Sequence, residues 1–200
     1  MLIVITNEEK IANEIETIEN LFQNGLQTLH VRKPTFSKVE LKNWLQLLNE
    51  KYHDKLMLHQ HHELATDFNV KGVHLTEKHR KKVENISEYV KNYQKMKKIV
   101  SASFHSVSAL KAEASVYDYV FLSPVFTSVS KENYHGKQFI VTDLKTKTIA
   151  LGGITSATIS EVKKMGYHGV AILGSVWKSA TPIISFIELQ TEYKSVFYDE

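Results

Sequence analysis

The sequence predicts an α/β protein, a single (β/α)8 or TIM barrel domain that spans residues 1–200. Short apolar runs alternate with longer segments of helical periodicity, which is typical of strands and crossover helices in a parallel sheet. Eight such runs can be counted, the number of strands that closes this barrel. Glycine follows the last two runs, and the loops after strands 7 and 8 of such barrels often bind phosphate. An open, doubly wound sheet is the alternative architecture.

The predicted strands are the apolar runs themselves, at residues 2–6, 27–32, 55–60, 72–75, 99–103, 119–122, 148–151 and 169–173. Between them, apolar residues recur at helical spacing. Ile11, Ile15, Ile18 and Phe22 share one helix face, and the segment 183–189 predicts a closing helix. We expect each of these faces to pack on the sheet.

Composition narrows the class of protein. Lys and Arg number 25 against 22 Asp and Glu, a net charge of +3, which is too balanced to favour nucleic acid as the main partner. The absence of cysteine excludes disulfides, thiolate catalysis and cysteine-ligated zinc. No apolar run is long enough for a membrane helix, and the N-terminus lacks the basic region of a signal peptide. We expect a soluble, cytoplasmic protein, with a homo-oligomer left open.

The glycine-ended runs are the most informative feature of the sequence. Gly152 and Gly153 follow the seventh run, and Gly174 and Ser175 follow the eighth. Glycine lets the backbone approach an anion closely, and exposed amides near a helix start attract it. These four residues are therefore predicted to bind a phosphate group. The alternative is a pair of ordinary glycine-terminated strands.

Reactive side chains of a barrel enzyme follow the carboxyl ends of its strands. There the sequence places Arg32, Ser103 and His105. Histidine titrates near neutrality and can both accept and donate a proton, so His105 is the predicted acid–base residue; the alternative is a helix-start histidine held by hydrogen bonds. Arg32 can bind a phosphate or carboxylate through two parallel hydrogen bonds, and Ser103 is predicted to contact the substrate.

The loop after the sixth run carries Ser128, Ser130 and Lys131. Alternating hydroxyls beside a lysine could surround an anion, so these residues are predicted to bind substrate. A solvated lid is the alternative interpretation of the same loop. The basic run 78–82 is interpreted as a solvated helix face.

His59, His61 and His62 invite a metal-site interpretation because imidazole is a common zinc ligand. His59 and His61 share one strand face, no carboxylate lies between them, and His62 would point away if the strand continues. The sequence therefore predicts no metal site, and the histidines are interpreted as packed or solvated.

Several motifs together resemble the thiamine phosphate synthase superfamily across nearly the whole chain. They are His30-Val31-Arg32, Gly72-Val73-His74-Leu75, Ser103-Phe104-His105-Ser106, Ser123-Pro124-Val125-Phe126, Ser128-Val129-Ser130-Lys131 and Gly152-Gly153-Ile154. The resemblance implies a (β/α)8 barrel and one of two reactions. The synthase branch joins a hydroxymethylpyrimidine diphosphate to a thiazole phosphate, releases pyrophosphate and uses Mg²⁺. The tautomerase branch shifts a proton on a thiazole carboxylate phosphate with a histidine and no metal.

The chain departs from the synthase pattern at residues that the resemblance implies should bind substrate and metal. Pro34 stands in place of a lysine, His59-Gln60-His61 in place of Asn-Asp-Arg, and His79 in place of a second aspartate. Mg²⁺ prefers oxygen ligands, so both expected carboxylate ligands are missing. Lys33 and Glu77 lie nearby in sequence and leave open whether they substitute. The loop 128–131, in contrast, matches the synthase pattern.

His105 matches the tautomerase histidine, although many synthases carry a histidine there too, and His30 matches the tautomerase variant of the second strand. The resemblance thus implies a thiamine-biosynthesis enzyme that binds a small phosphorylated thiazole, nearer the tautomerase branch and without a cofactor. In this hypothesis His105 acts as base and then acid, Arg32 and Lys131 hold anionic groups, and the glycine loops hold the phosphate. The alternatives are a synthase, which would need Mg²⁺, and a non-catalytic protein that binds a thiamine intermediate.

Overall fold

In the computed structural model, which describes residues 1–127 and 136–198, eight parallel strands form a closed barrel in chain order. The strands are β1 Leu2–Ile5, β2 Leu29–Val31, β3 Leu56–Leu58, β4 Gly72–Leu75, β5 Ile99–Phe104, β6 Tyr119–Leu122, β7 Thr148–Leu151 and β8 Gly169–Ile172. Each corresponds to a predicted run, and β8 pairs with β1. The predicted barrel is confirmed, and the open sheet is wrong.

Helices surround the barrel. They are α1 Glu14–Gln23, α2 Lys38–Leu47, α3 Glu77–Arg80, α4 Ile86–Lys95, α5 Val107–Glu113, α6 Ile159–Lys164, α7 Gly174–Trp177 and α8 Pro182–Tyr198. The start of α2 is fixed by a capping box, in which Ser37 and Glu40 satisfy each other's backbone amides. The β3–β4 crossover contains only a 3-10 helix, His62–Thr66. Within the described ranges, no helix is long and apolar enough to cross a membrane.

Side chains alternate between the barrel interior and the helix layer because successive strand residues point to opposite faces. One apolar cluster fills the interior and consists of Ile3, Ile5, Met57, Tyr119, Phe121, Ile149 and Ala171. A larger cluster joins the outward strand residues to the helices. His30, His74 and Ser101, also at interior positions, are fully buried. The interior is therefore unusually polar on the side formed by β2, β4 and β5.

The basic run 78–82 is not wholly a solvated face. Arg80 is buried, and its guanidinium lies 4.2 Å from the centre of the Phe104 ring. It pairs with Glu113 and lies 3.9 Å from Glu77. The interpretation as a solvated face is wrong for this residue, because α3 is a single turn that lays Arg80 against β5.

Candidate functional site

A pocket of about 610 Å³ opens at the carboxyl ends of the strands, where barrel enzymes carry their active sites. Seven residues predicted from the sequence line it together: Arg32, Ser103, His105, Gly152, Gly153, Gly174 and Ser175. The other three, Ser128, Ser130 and Lys131, lie outside the described residues. The pocket can hold a small organic phosphate, because ligand cavities of this size are typical of such molecules.

The glycine loops after β7 and β8 form one side of the pocket. Gly152 and Gly153 have φ of +101° and +66°, and a Cβ on Gly153 would lie 2.4 Å from the carbonyl oxygen of Thr127. Only glycine meets both demands without strain. The hydroxyl of Ser175 donates a hydrogen bond to the carbonyl of Ile154 and so joins the two loops. Residues of both loops thereby line the same wall.

The chain after β6 is held against the same wall. The amide of Val125 donates to the carbonyl of Leu151 at 3.0 Å, and the amide of Phe126 donates to Gly152 at 3.0 Å. The Ser123-Pro124 peptide bond is cis. The hydrogen bonds of Val125 and Phe126 hold this segment beside the pocket, where the carbonyl of Ser123 meets His105.

His105 lies just after β5, directly before the N-cap of α5, and its side chain is partly exposed to the pocket. Its Nδ1 lies 2.9 Å from the carbonyl oxygen of Ser123, so Nδ1 carries the hydrogen and donates it. In the neutral ring Nε2 is then the basic atom, and it lies 3.7 Å from Oε2 of Glu77. A histidine oriented by a carbonyl, with its other nitrogen in a pocket, has the geometry of a general base.

Glu77 lies at the first position of α3, beside His105 on the pocket wall. Partial burial by itself would raise the pKa of this carboxyl. The hydrogen bond from Lys81 and the nearby charges of His105, Lys81 and Arg80 outweigh that effect and lower the pKa. Glu77 is therefore ionised at neutral pH.

Arg32 follows β2 and lines the pocket, where its guanidinium forms an ion pair with Glu8. About a third of each side chain is exposed, so water screens the pair and its net stabilisation is small. An incoming phosphate or diphosphate can compete with Glu8 for the guanidinium. The predicted anion-binding role of Arg32 thus agrees with its position and stays a prediction.

Lys33 does not replace the lysine that the resemblance implies. Its side chain is fully buried on the outer side of β2, and Nζ lies 2.6 Å from Oε1 of Glu14 and 2.7 Å from the carbonyl of Glu9. The indole nitrogen of Trp44 donates to the other oxygen of Glu14 at 3.1 Å. Lys33 is a structural residue between the strand and helices α1 and α2, and it is not among the residues that line the pocket.

The positions implied to bind Mg²⁺ do not fit that ion. Gln60 donates to the carbonyl of Lys33, and the ring of His79 lies 4.7 Å from that of His62; neither lines the pocket. His59 does line it, but offers nitrogen rather than the oxygen that Mg²⁺ prefers. Among the described residues, these positions provide no carboxylate pair.

Sequence reasoning missed two features of the pocket. Glu8 contributes a carboxylate to its wall, and His59 reaches inward to join His30 and His74 in one buried cluster. The alternation of side chains along the strands could have shown that His30 and His74 face the interior. Their meeting with His59 depends on the register of three neighbouring strands.

Comparison with known proteins identifies the family. The family model described as thiamine monophosphate synthase matches residues 2–176. The chain belongs to this family. The thiamine-phosphate synthase of Pyrococcus furiosus is 27% identical over 88% of this chain and 86% of its own length. That of Pyrococcus horikoshii is 25% identical over 86% of this chain and 84% of its own.

A solved relative gives the same picture for the fold. Thiamine phosphate pyrophosphorylase from Bacteroides thetaiotaomicron superposes with a TM-score of 0.77 at 29% identity, over 97% of this chain and 98% of that one. The resemblance to the thiamine phosphate synthase superfamily is thus confirmed. These three relatives are a pyrophosphorylase and two synthases, so they do not support the expected tautomerase branch.

Proposed function

We propose that this protein is a thiamine-phosphate synthase, which joins a hydroxymethylpyrimidine diphosphate to a thiazole phosphate and releases pyrophosphate. The names of its relatives support this reaction over the tautomerase that the motifs suggested. The observation that carries the proposal is the wall of paired glycine loops, tied by Ser175, beside a pocket lined by Arg32. The glycine loops bind a phosphate monoester, and Arg32 binds a second, more highly charged group.

In the proposed reaction, the bond between the pyrimidine methylene carbon and the diphosphate oxygen breaks, and a methylene–nitrogen bond to the thiazole forms. Charge accumulates on the departing diphosphate, so a positioned cation contributes more than a base does. In this proposal Arg32, which is paired with Glu8 in the free protein, takes this charge when it exchanges Glu8 for the diphosphate. The amides at Gly152, Gly153 and Gly174 hold the thiazole phosphate, and Ser103, which also lines the pocket, contacts the substrate.

A thiazole tautomerase is the second candidate, and one specific observation favours it. His105 has Nδ1 engaged by Ser123 while Nε2 lies near the carboxylate of Glu77, an arrangement that can remove and return a proton without a metal. Such proton transfer contributes about 10²–10⁴-fold in rate. The poor fit of the Mg²⁺ positions also suits this candidate.

Two assays run on the same preparation test these candidates. The first supplies the pyrimidine diphosphate with the thiazole phosphate and measures pyrophosphate and thiamine phosphate, with and without Mg²⁺. The second supplies the thiazole carboxylate phosphate and follows the ring proton by NMR. Pyrophosphate release supports the proposal, whereas tautomerisation alone overturns it in favour of the second candidate. Tight binding of thiazole phosphate without turnover in either assay overturns both and leaves a non-catalytic binding protein.

The variant His105→Gln sharpens the choice. We expect it to keep most synthase turnover, because the proposed transfer needs no proton from this residue. If the protein is a tautomerase, the same change abolishes turnover and leaves phosphate-ligand binding nearly intact. Calorimetric titration with the thiazole phosphate serves as the control that the pocket is still formed.

A further inference from the structure

Three imidazoles meet inside the barrel, directly beneath the pocket. His30 from β2, His59 after β3 and His74 from β4 are all buried, and one ring nitrogen from each lies within 4.8 Å of the others. Nδ1 of His30 is 2.8 Å from Nε2 of His59, and the rings of His59 and His74 stack with centres 4.2 Å apart. His59 also lines the pocket, so the cluster is open to it on one side.

The hydrogen bonds of the cluster leave one buried nitrogen unsatisfied. Nε2 of His30 lies 2.6 Å from the hydroxyl of Tyr119, so both nitrogens of His30 have partners. Nε2 of His59 is used by His30, whichever ring carries the shared hydrogen, and Nδ1 of His59 has no partner among the described residues. A buried polar atom without a partner is destabilising, and an ion or a water near it is a common explanation.

We propose that His30, His59 and His74 bind one divalent transition-metal ion, zinc being the first candidate, at the floor of the pocket. Three neutral imidazoles with a fourth position open to a cavity form a recurrent zinc-binding arrangement. Burial lowers the pKa of all three rings, which keeps them in the neutral form that ligates. Imidazole also binds Ni²⁺, Co²⁺ and Cu²⁺, and the cluster offers no oxygen donor of the kind that Mg²⁺ requires.

The surrounding hydroxyls support this assignment. Metal-bound histidines usually donate their other ring hydrogen to a fixed acceptor. If Nδ1 of His30 binds the ion, Nε2 of the same ring keeps its hydrogen bond to the hydroxyl of Tyr119. In His74, Nδ1 lies 2.8 Å from the hydroxyl of Ser101 and Nε2 lies 2.8 Å from that of Ser103. Whichever of the two nitrogens binds the ion, the other therefore keeps its hydrogen bond to a serine. These partners already hold two of the three rings in place.

The ring positions need only small adjustments. Zinc–nitrogen bonds of about 2.0–2.1 Å in a tetrahedral site separate the nitrogens by roughly 3.4 Å. The His30–His59 contact of 2.8 Å must therefore open slightly, and the widest pair, up to 4.8 Å, must close. Rotation of the rings about their terminal torsions allows both, since these torsions are broad.

The proposal goes beyond the synthase or tautomerase assignment, and its test does not use turnover. Metal-free protein is titrated with Zn²⁺ by calorimetry and with Co²⁺ by visible absorption. We expect one ion per chain, a cobalt spectrum of four-coordinate intensity, and a melting temperature raised by roughly 5–10 °C at about 100-fold excess over Kd. Mg²⁺ should produce none of these effects. Failure to bind one equivalent of Zn²⁺ or Co²⁺ overturns the proposal.

Variants locate the site. His59→Gln should remove stoichiometric binding. Tyr119→Phe, which keeps the aromatic ring and loses only the outer hydroxyl, should weaken binding by about 10–100-fold. His61→Asn is the matched control, because His61 belongs to the same histidine-rich segment but bonds the carbonyl of Phe36, and it should bind like the wild type. Undiminished binding in folded His59→Gln or in Tyr119→Phe, or loss of binding in His61→Asn, places the ion elsewhere and overturns the proposal.

Discussion

Lys33 and Glu14 form an ion pair on the outer side of β2, with Nζ 2.6 Å from Oε1 and both side chains buried. Burial lowers the pKa of Lys33 and raises that of Glu14, while their mutual attraction opposes both shifts. The pair joins β2 to α1, and Trp44 connects it to α2. Lys33 is therefore a packing residue, although Arg32, the residue directly before it, lines the pocket.

Removal of one member of this pair should destabilise the fold. Lys33→Met leaves the carboxylate of Glu14 buried without its partner, and we expect a loss of about 3–5 kcal/mol in the free energy of unfolding. The double variant Lys33→Met/Glu14→Leu should recover much of that loss. Urea denaturation measures both. Affinity for the thiazole phosphate should remain near wild type in folded protein, and a selective loss of affinity would place Lys33 in the binding site.

Arg32→Met should weaken binding of the diphosphate substrate by about 10–100-fold, because a charge-assisted hydrogen bond contributes roughly 1.5–3 kcal/mol. Glu8→Gln, which removes the competing carboxylate, should leave that affinity unchanged or improve it. Titration with pyrophosphate as the probe measures both effects. Equal affinity in wild type and Arg32→Met would contradict the role assigned to the guanidinium.

Gly153→Ala should reduce affinity for the thiazole phosphate and destabilise the fold by about 1–3 kcal/mol, because its positive φ and close contact exclude a Cβ. Gly25→Ala is the matched control. It also has a positive φ, but its Cβ would meet only the flexible end of Gln190, away from the pocket. Both variants should lose stability, and only Gly153→Ala should lose affinity. If Gly153→Ala and Gly25→Ala bound the thiazole phosphate with the same affinity, that result would argue against a phosphate site at this loop.

Acid should destabilise the protein through its buried histidines. His62 is enclosed by Tyr89 and the carbonyl of His74, and burial lowers its pKa to about 3. The unfolded chain therefore takes up a proton that the folded chain does not, so this stability is present above pH 6.5 and is lost as the pH falls from 6.5 towards 3.

We expect the loss from His62 alone to be about 2 kcal/mol between pH 7.5 and 5.0, since each pH unit of differential protonation corresponds to about 1.4 kcal/mol. Urea denaturation of the wild type and of His62→Gln at both pH values measures how much of the loss in unfolding free energy comes from His62. The variant should show a shallower fall in unfolding free energy with acid. An identical slope in the two proteins would show that His62 does not titrate in this way.

The barrel could be predicted from the sequence because its strands are buried on both faces and appear as continuous apolar runs. The strand-end rule also brought Arg32, Ser103 and His105 to one pocket. The rule did not show that Arg32 lines the pocket while Lys33 does not. To show this, one must know which residues of the strand point inwards and which point outwards. The positions of these residues along the chain were clear from the sequence, but not whether each side chain points into the barrel or outwards.

The histidine cluster lay beyond sequence reasoning for a related reason. For the segment that contains His59 and His61, sequence reasoning considers a metal site only among neighbours in sequence and predicts none. In the structure His61 turns away to the carbonyl of Phe36, while His59 meets His30, which is 29 positions earlier in the chain. Only the pairing of β2 with β3 brings these two rings together.

Leu2 pairs with Val170 and Val4 with Ile172, so β1 cannot complete its hydrogen bonds until β8 has been synthesised. Until then, one edge of the growing sheet presents unpaired amides and carbonyls next to apolar side chains. Such an edge can recruit strands from other nascent chains. The risk of aggregation for this protein is therefore concentrated in the interval of synthesis that precedes ring closure.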